Sequence, residues 1–447
     1  MSNRTELTDI FNAALAAVDP YRAVLKAARL ERNTLHIAAA NYALDAYTRI
    51  VVVGAGKATA RMALAIEALL GERISAGLII VKEGHQARLN IIRQVEAAHP
   101  VPNQAGLDGT QEILEMARQA DETTLFICLL SGGASALLLA PVADVTLADK
   151  QEVTRLLLKS GADIAELNAV RKHLSAVKGG RLAQAAFPAQ IVTLILSDVI
   201  GDRPDVIASG PTAEDHSTFT DAWAVIEKYQ LQHKIPQRVV HHLQQGIAGK
   251  TPETIKSGDI CLRNVQSVVV GNLRLALEAA KEKAEQLGMH AEIISTDLQG
   301  EARGVAFMLA QTARATLGRM QLHERRCLLS GGETTVSVTG SGMGGRNQEL
   351  ALAFAIGVEG LAGISLLSAG TDGSDGANDA AGALVNGSTA AGARQLGIEP
   401  LKYLAENDSY HFFQEFDARS GGYAHFITGP TGTNVMDVQI MLLEKYI

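Results

Sequence analysis

The 447-residue sequence is short of several things, and each shortage excludes a class of protein. It has three cysteines, Cys128, Cys261 and Cys327. The count is odd and no two share a metal-ligand spacing. Neither a disulfide framework nor a zinc site is expected, and a reducing compartment follows. The twelve histidines show no ligand spacing either, and the adjacent pair His241-His242 reads as the surface of a polar helix. No apolar run approaches the ~18 residues of a membrane span. The opening stretch MSNRTELTDIFNAALAAVDP is interrupted by Glu6, Asp9 and Asp19. It reads as an amphipathic helix rather than a signal peptide, so a cytoplasmic protein is expected. Positive charge is also in deficit, with 40 Lys and Arg against 48 Asp and Glu and a formal net charge of −8. Nucleic acid and anionic membrane both require a positive field, so neither is an expected partner.

What remains is an ordinary folded composition, 47 % apolar and 20 % charged. At roughly 100–200 residues per domain, the length implies two or three domains. Glycine is abundant at 42 while aromatics make up 4 %, a balance that suggests many tight backbone loops.

Short apolar runs alternate with helical stretches. They include RIVVVG (49–54), AGLIIVK (76–82), LFICLLS (125–131), QIVTLILSD (190–198), SVVVG (267–271), RCLLSGG (326–332), TVSVTG (335–340), ISLLSAG (364–370) and AHFITG (424–429). Several are unbroken Val/Ile/Leu segments, the mark of strands buried on both faces in a parallel sheet. Many end directly in Gly, Ser or Asp, and strand carboxyl ends are where open α/β sheets hold ligands. The fold is therefore α/β. Motif order also repeats: VVVG at 51–54 and 268–271, LLSGG at 129–133 and 328–332, and a strand ending in an acidic loop at 194–202 and 366–376. That repetition points to two α/β domains of similar plan. The polar stretch GIAGKTPETIKSGDI (246–260) is the expected boundary, giving domains 1–250 and 251–447.

Six strings could carry chemistry. In VVVGAGKATARMA (51–63), a strand runs into Gly54 and Gly56 and then a helix with Lys57 in its first turn. Glycines admit an anion to backbone N–H groups, and the helix start and Lys57 add positive charge. The string is not a P-loop. It approximates a dinucleotide fingerprint with Thr59 at the sixth position and Glu83 as a ribose-binding acid. A glycine turn serving only strand–helix packing is the plain alternative. Ser131-Gly132-Gly133-Ala134 and its counterpart Ser330-Gly331-Gly332-Glu333-Thr334 could each form an anion nest. Neither serine has a nucleophile elbow. In NAVRKHLSAVKGGRLA (168–183), Arg171, Lys178 and Arg181 would share one face if helical, as an anion-binding stripe or as a solvated face. In SDVIGDRPDVIASGPT (197–212), Asp198, Asp202 and Asp205 follow a strand, as Mg²⁺ ligands or as turn caps. GSGMGGRNQELALAFA (340–355) has a flexible loop followed by Arg346 and Asn347, and an Arg there can clamp a phosphate or carboxylate. SAGTDGSDGANDAAGAL (368–384) places Asp372, Asp375 and Asp379 after a strand without EF-hand spacing.

Together, GAGKA, LLSGGASALL, NAVRKHLSAVKGGRLA, LSDVIGDRPDVIASGPT, LLSGGETTV, GGRNQELALA and AGTDGSDG resemble the glycerate 2-kinase family, whose C-terminal portion is the MOFRL domain, here about 325–435. Members are often labelled hydroxypyruvate reductases. The resemblance implies transfer of a phosphoryl group from ATP to the 2-hydroxyl of D-glycerate with Mg²⁺. It implies two α/β/α domains with mostly parallel sheets, the N-terminal one Rossmann-like, and an active site in the cleft between them. By resemblance, Lys57 and Arg346 are the candidates for the transferring phosphoryl group or the glycerate carboxylate. Gly54, Gly56, Ser131, Gly132, Gly133, Ala134, Arg171, Lys178, Gly331, Gly332, Glu333, Thr334 and Asn347 are candidates to cradle substrate or phosphate. Asp198 is the candidate base or Mg²⁺ ligand, with Asp372 and Asp375 as further ligands. Expected partners are therefore the small molecules D-glycerate and ATP, and a homo-oligomer is compatible. Two other readings stay open: an NAD(P)-dependent hydroxypyruvate reductase built on Gly54, Gly56 and Glu83, and a non-catalytic sugar-acid or nucleotide-binding regulator.

Overall fold

A computed structural model describes residues 3–446. Helix α1 (Asn3–Ala17) opens the chain. Two compact units follow from the packing, Pro20–Val270 on one side and Met1–Asp19 with Gly271–Ile447 on the other.

In the unit Pro20–Val270, α2 (Pro20–Ala27) leads into a small antiparallel sheet of β1 (Ala28–Glu31), β2 (Thr34–Ile37) and β3 (Ala40–Ala43). Four-residue strands leave too little periodicity to read in a sequence. The main sheet is built from β4 (Arg49–Ala55), β5 (Ala76–Lys82), β6 (Arg93–Ala97), β7 (Thr124–Leu130), β8 (Gln190–Leu196) and β9 (Val265–Gly271). Their spatial order is β6-β5-β4-β7-β8-β9. Counted along the chain, that is 3-2-1-4-5-6, the Rossmann order. The pairs β4–β5, β5–β6, β4–β7 and β7–β8 are parallel. Every residue of β7 is buried, as expected of a run with no polar alternation.

Helices α3 (Thr59–Leu70) and α4 (Gln104–Arg118) and the single turn α5 (Ala134–Leu137) connect the first strands. A helical cluster follows: α6 (Leu147–Lys159), α7 (Ile164–His173), α8 (Arg181–Ala186), α9 (Phe219–Lys228) and α10 (Gln237–Ile247). Capping boxes start α6 with Thr146 and Asp149, α7 with Asp163 and Glu166, and α9 with Thr218 and Asp221. These helices bury their own core around Leu157, Val170, Phe219 and Leu243.

The other unit holds α11 (Leu273–Gln286), β10 (His290–Glu301), α12 (Ala302–Arg319), β11 (Arg325–Thr335), α13 (Arg346–Gly357), β12 (Ile364–Gly370), β13 (Gly382–Asn386), α14 (Thr389–Gln395), α15 (Pro400–Ala405), α16 (Ser409–Ser420), β14 (His425–Phe426) and β15 (Asp437–Glu444). Its sheet order is β10-β11-β15-β12-β13-β14. Only β10–β11 is parallel; β11–β15, β12–β15, β12–β13 and β13–β14 are antiparallel. The expectation of mostly parallel sheets therefore holds for the first sheet, and the second is mixed. Two features make it so: β15 lies in the centre of the sheet and runs against both neighbours, and β12, β13 and β14 pair antiparallel in turn.

Further expectations change. The second VVVG string lies in β9, at the edge of the first sheet, so the two units do not repeat one plan. The compact units part at Val270/Gly271 rather than at 250/251, because β9 completes the first sheet. Residues 1–19 belong with the second unit, where α1 packs on α11 and β15. The string TVSVTG leaves the sheet after Thr335, and AHFITG supplies only the two-residue β14.

Candidate functional site

In Pro20–Val270, four of the singled-out strings meet at the carboxyl ends of β4, β7 and β8. Their hydrogen bonds show what each loop can still do. Gly56 N–H donates to Ile80 O at 3.1 Å, Lys57 N–H to Gly132 O at 2.8 Å, and Ala58 N–H to Ser131 Oγ at 3.0 Å. Ser131 N–H donates to Ala55 O at 3.2 Å. A Cβ on Gly54 would overlap Leu129 O, and one on Gly56, whose φ is +140°, would overlap the Ser131 hydroxyl. These glycines allow the β4 and β7 loops to interlock. The N–H groups expected to form an anion nest at Gly54 and Gly56 are already used, and so is the Ser131 hydroxyl. The same bonds occupy the place where a dinucleotide pyrophosphate would approach the turn, so the hydride-transfer reading is not favoured.

Beyond that seal, side chains converge. Gly133, at φ +84°, stands against the His99 ring and the Lys57 stem. Ala134 is buried behind it in the first turn of α5. His99 is driven down to about 4 by burial and by Lys57, Lys82 and His85, so the ring is neutral. Arg171 and Lys178 do not share a helix face, as α7 ends at His173 and α8 begins at Arg181. Tertiary structure gathers them instead. Both line a cavity of about 600 Å³ together with His99, Gly133, Ser135 and Lys150.

Lys178 is buried, and its ammonium donates to Ser135 O at 2.8 Å, Ser135 Oγ at 3.2 Å and Ala208 O at 3.3 Å. Burial, then Lys150, Arg171 and Lys172, drives it well below the ordinary lysine range. Its neighbours Gly179 and Gly180 donate to Ser209 O at 3.1 Å and Gly210 O at 2.7 Å. Ala208, Ser209 and Gly210 all have positive φ, a strained run this network holds in place. Lys172 is spoken for by Asp215 at 3.0 Å. Asp198 follows the end of β8 and is half-buried.

Lys150, His99 and Ser135 were not singled out in the sequence. Lys150 sits in LADKQEVTRLLLK, an unremarkable amphipathic string, and only the fold turns it inward. The histidine pair also differs from expectation. His241 is exposed, whereas His242 turns in, its Nε2 2.9 Å from His173 O.

In the second unit the predicted residues form a different kind of assembly. Gly331 and Gly332 lie inside β11, not in a loop, and Cβ atoms there would overlap the flanking strands. Ser330-Gly331-Gly332 is therefore not a nest, and Thr334 is buried in the same strand. Arg346 opens α13 and is already bidentate. Its Nε reaches Asp437 Oδ2 at 2.6 Å, its Nη2 reaches Asp437 Oδ1 at 3.0 Å, and its Nη1 reaches Glu333 Oε1 at 2.6 Å. Burial pushes the Asp437 carboxyl up, against the pull of Arg346. Arg346 is thus not the unencumbered cation expected of a phosphate clamp.

Asp375 is not placed as a metal ligand. Its Oδ1 accepts Asn347 N–H at 3.0 Å and Nδ2 at 3.3 Å. Its Oδ2 accepts Gln348 N–H at 2.8 Å and Nε2 at 3.0 Å. It caps α13 from a distant loop, since Gly345 at the cap position has no side chain to do so. Asn347 is buried in this cap and takes the Ser368 hydroxyl at 2.7 Å. Asp372 closes a local turn, accepting Ser374 N–H and Oγ at 3.0 Å each. Among the described residues, no three His, Cys, Asp or Glu side chains cluster as metal ligands. No helix there is long and apolar enough to cross a membrane.

The comparisons with known proteins fit this geometry. The family described as Domain of unknown function (DUF4147) matches residues 6–244, and the MOFRL family matches 326–437. The chain is 44 % identical over 397 residues to a D-glycerate 2-kinase of Thermotoga maritima, covering 88 % of this chain and 91 % of that protein. It is 38 % identical over 434 residues to a glycerate 2-kinase of Pyrococcus horikoshii, covering 97 % and 95 %. A crystal structure of a glycerate kinase from Thermotoga maritima superposes with a TM-score of 0.84 at 41 % identity, over 99 % of this chain and 100 % of that one. A Rossmann-order sheet, cationic loops at its strand ends and likeness over nearly the full length define an enzyme, a kinase. The chain belongs to the glycerate 2-kinase family.

Proposed function

We propose that the protein transfers the γ-phosphoryl group of ATP to the 2-hydroxyl of D-glycerate, giving 2-phosphoglycerate and ADP. The observation that carries this reading is the 44 % identity to a D-glycerate 2-kinase across 88 % of the chain. The chemistry of the loops supports it. Phosphoryl transfer needs positioning and charge neutralisation more than covalent participation by the protein. Lys57 lies beside Gly133 and His99, on the cationic side of the strand ends, and is the proposed contact for the transferring group. The glycerate O2 bonds to the γ-phosphorus, the bond to the ADP oxygen breaks, and the hydroxyl proton leaves. Asp198 is proposed either to take that proton or to hold a cation.

The donor set fits Mg²⁺ carried by a nucleotide, because that ion is ordinarily held by one or two carboxylates, substrate phosphates and waters. Asp198 would hold it; Asp375, with both oxygens engaged by the α13 cap, would not. The ion would supply charge neutralisation on the phosphates. Arg346 is proposed to act from its fixed place on Asp437, offering its remaining N–H groups to an anion. Residues of both units are proposed to be needed for turnover, as the resemblance to the family implies. A cytoplasmic enzyme, free or as a homo-oligomer, suits a small anionic substrate.

The test is purified protein with MgATP and D-glycerate, coupled to enolase without a mutase. Immediate phosphoenolpyruvate is the expected result, and Lys57→Ala should lower turnover at least tenfold with an unchanged unfolding temperature. ADP without an enolase-ready product would move the phosphoryl group to the 3-hydroxyl. NADH consumption with hydroxypyruvate, without ADP formation, would overturn the kinase reading.

A further inference from the structure

The cavity of about 600 Å³ in Pro20–Val270 contains a feature that a folded protein rarely tolerates without cause. The Lys150 ammonium is fully buried and has no hydrogen-bond partner. The residue as a whole is 4 % exposed. An isolated buried charge is strongly destabilising, and an unsatisfied buried group in a native fold calls for an explanation such as a ligand that partners it.

Three further observations point to what that ligand is. First, no carboxylate pairs with Lys150, Arg171 or Lys178 among the described residues. The one acid in the lining, Glu152, is bound to Arg155 at 2.7 Å on the same helix. The cavity therefore offers an incoming anion three cationic side chains, none of them spent on a carboxylate. Burial, with Arg171 and Arg181 nearby, lowers the Lys150 ammonium to about 7, which an anionic partner would reverse. Second, the lining is also apolar, with Val101, Leu147 and Leu158 among its residues. Val101 and Leu158 are 63 % and 56 % exposed, so an apolar ligand surface would cover them. Third, the volume sits within the roughly 300–1,000 Å³ of sites for drug-sized ligands. A three-carbon acid has neither that bulk nor an apolar face.

We propose that this cavity binds the adenine nucleotide, with Lys150 as a phosphate-binding residue beside Arg171 and Lys178 and the base covering the apolar lining. This assignment rests on the kinase reading and adds to it where the nucleotide sits. Lys150 would touch substrate directly, and its burial would be the cost, in the empty enzyme, of a charge held ready for phosphate.

The experiment is calorimetric titration of the full chain with ADP, inorganic tripolyphosphate and D-glycerate, for wild type, Lys150→Met and Lys150→Gln. ADP affinity should fall at least tenfold in both variants, tripolyphosphate affinity should fall with it, and D-glycerate affinity should stay within twofold. Lys150→Met should unfold no earlier than wild type without ligand, because it removes an unpartnered buried charge. A merely structural lysine would show the opposite. If the variants do not fold, ADP should still slow hydrogen exchange across residues 147–158 of the wild type. ADP binding that survives both substitutions overturns the proposal, as does wild type that does not bind ADP, exchange there that ADP leaves unchanged, or loss of D-glycerate binding alone. Lys150-dependent ADP binding in a protein that makes no product from D-glycerate would overturn the glycerate kinase reading and leave this one standing.

Discussion

Replacing Asp375 by alanine separates two roles that its place in an acidic, glycine-rich loop allows. If the carboxylate serves α13, its loss takes an acceptor from four donors on Asn347 and Gln348, all within 2.8–3.3 Å of it, and strands the two backbone N–H groups, while Gln348 Nε2 keeps Asp375 O and Asn378 Oδ1 at 3.2 Å each. Both residues are buried, so water does not replace the lost acceptor. An ordinary cap is worth about 1 kcal/mol. A buried donor left unsatisfied costs about 1–3 kcal/mol, and two of the four here are backbone N–H groups. Relief of the buried carboxyl offsets part of this, since burial pushes its pKa up to about 6. A net loss of about 3 kcal/mol is expected, or a fall of about 10 °C in Tm for a unit of this size. Thermal unfolding followed by circular dichroism reads it directly. Asp375→Asn keeps one carbonyl oxygen and should lose about half as much. Turnover should fall in both, because α13 carries Arg346. An unfolding temperature within 2 °C of wild type, with activity abolished, would refute the capping argument and return Asp375 to the metal ligands.

Arg346→Ala should destabilise by about 3–5 kcal/mol, because it leaves Asp437 buried without its bidentate partner; Arg346→Ala with Asp437→Asn should recover part of that loss in urea unfolding. Lys150 makes stability depend on pH. Its folded-state pKa of about 7 lies below the ordinary 10.5, so between those values the unfolded chain holds the proton and the folded chain does not. Stability therefore rises with pH through that window, by about 1.4 kcal/mol per unit from this group. Lys150→Met should be the more stable protein at pH 7, and the difference should close towards pH 10 in urea midpoints.

Much of the first unit was legible because buried parallel strands announce themselves. Runs such as VVVG and LFICLL are apolar on both faces, and no other element of that length needs such a pattern. The α/β class, the glycine turn after β4 and the placing of the four motif strings at strand ends follow from those runs, whereas the Rossmann order is a property of the folded sheet. The second sheet was less legible. β15 is buried in the centre of it in all but its last residue, but a strand's partners and direction are set by distant segments, and nothing within Asp437–Glu444 states that it runs against β11 and β12.

The residue types of the site, glycine, lysine, arginine and aspartate at strand ends, are properties of the sequence. Which of them are still available to a ligand is not. Gly56 and Ser131 look like a nest until the β4 and β7 loops are seen to satisfy each other, and Arg346 looks like a clamp until Asp437 arrives from 91 residues further on. Lys150 reverses the case: an ordinary surface-helix lysine in the string becomes a buried, unpartnered charge. Hydrogen bonds and desolvation act through space at a few ångströms, so only the folded chain decides which donors are spent and which charge is left waiting.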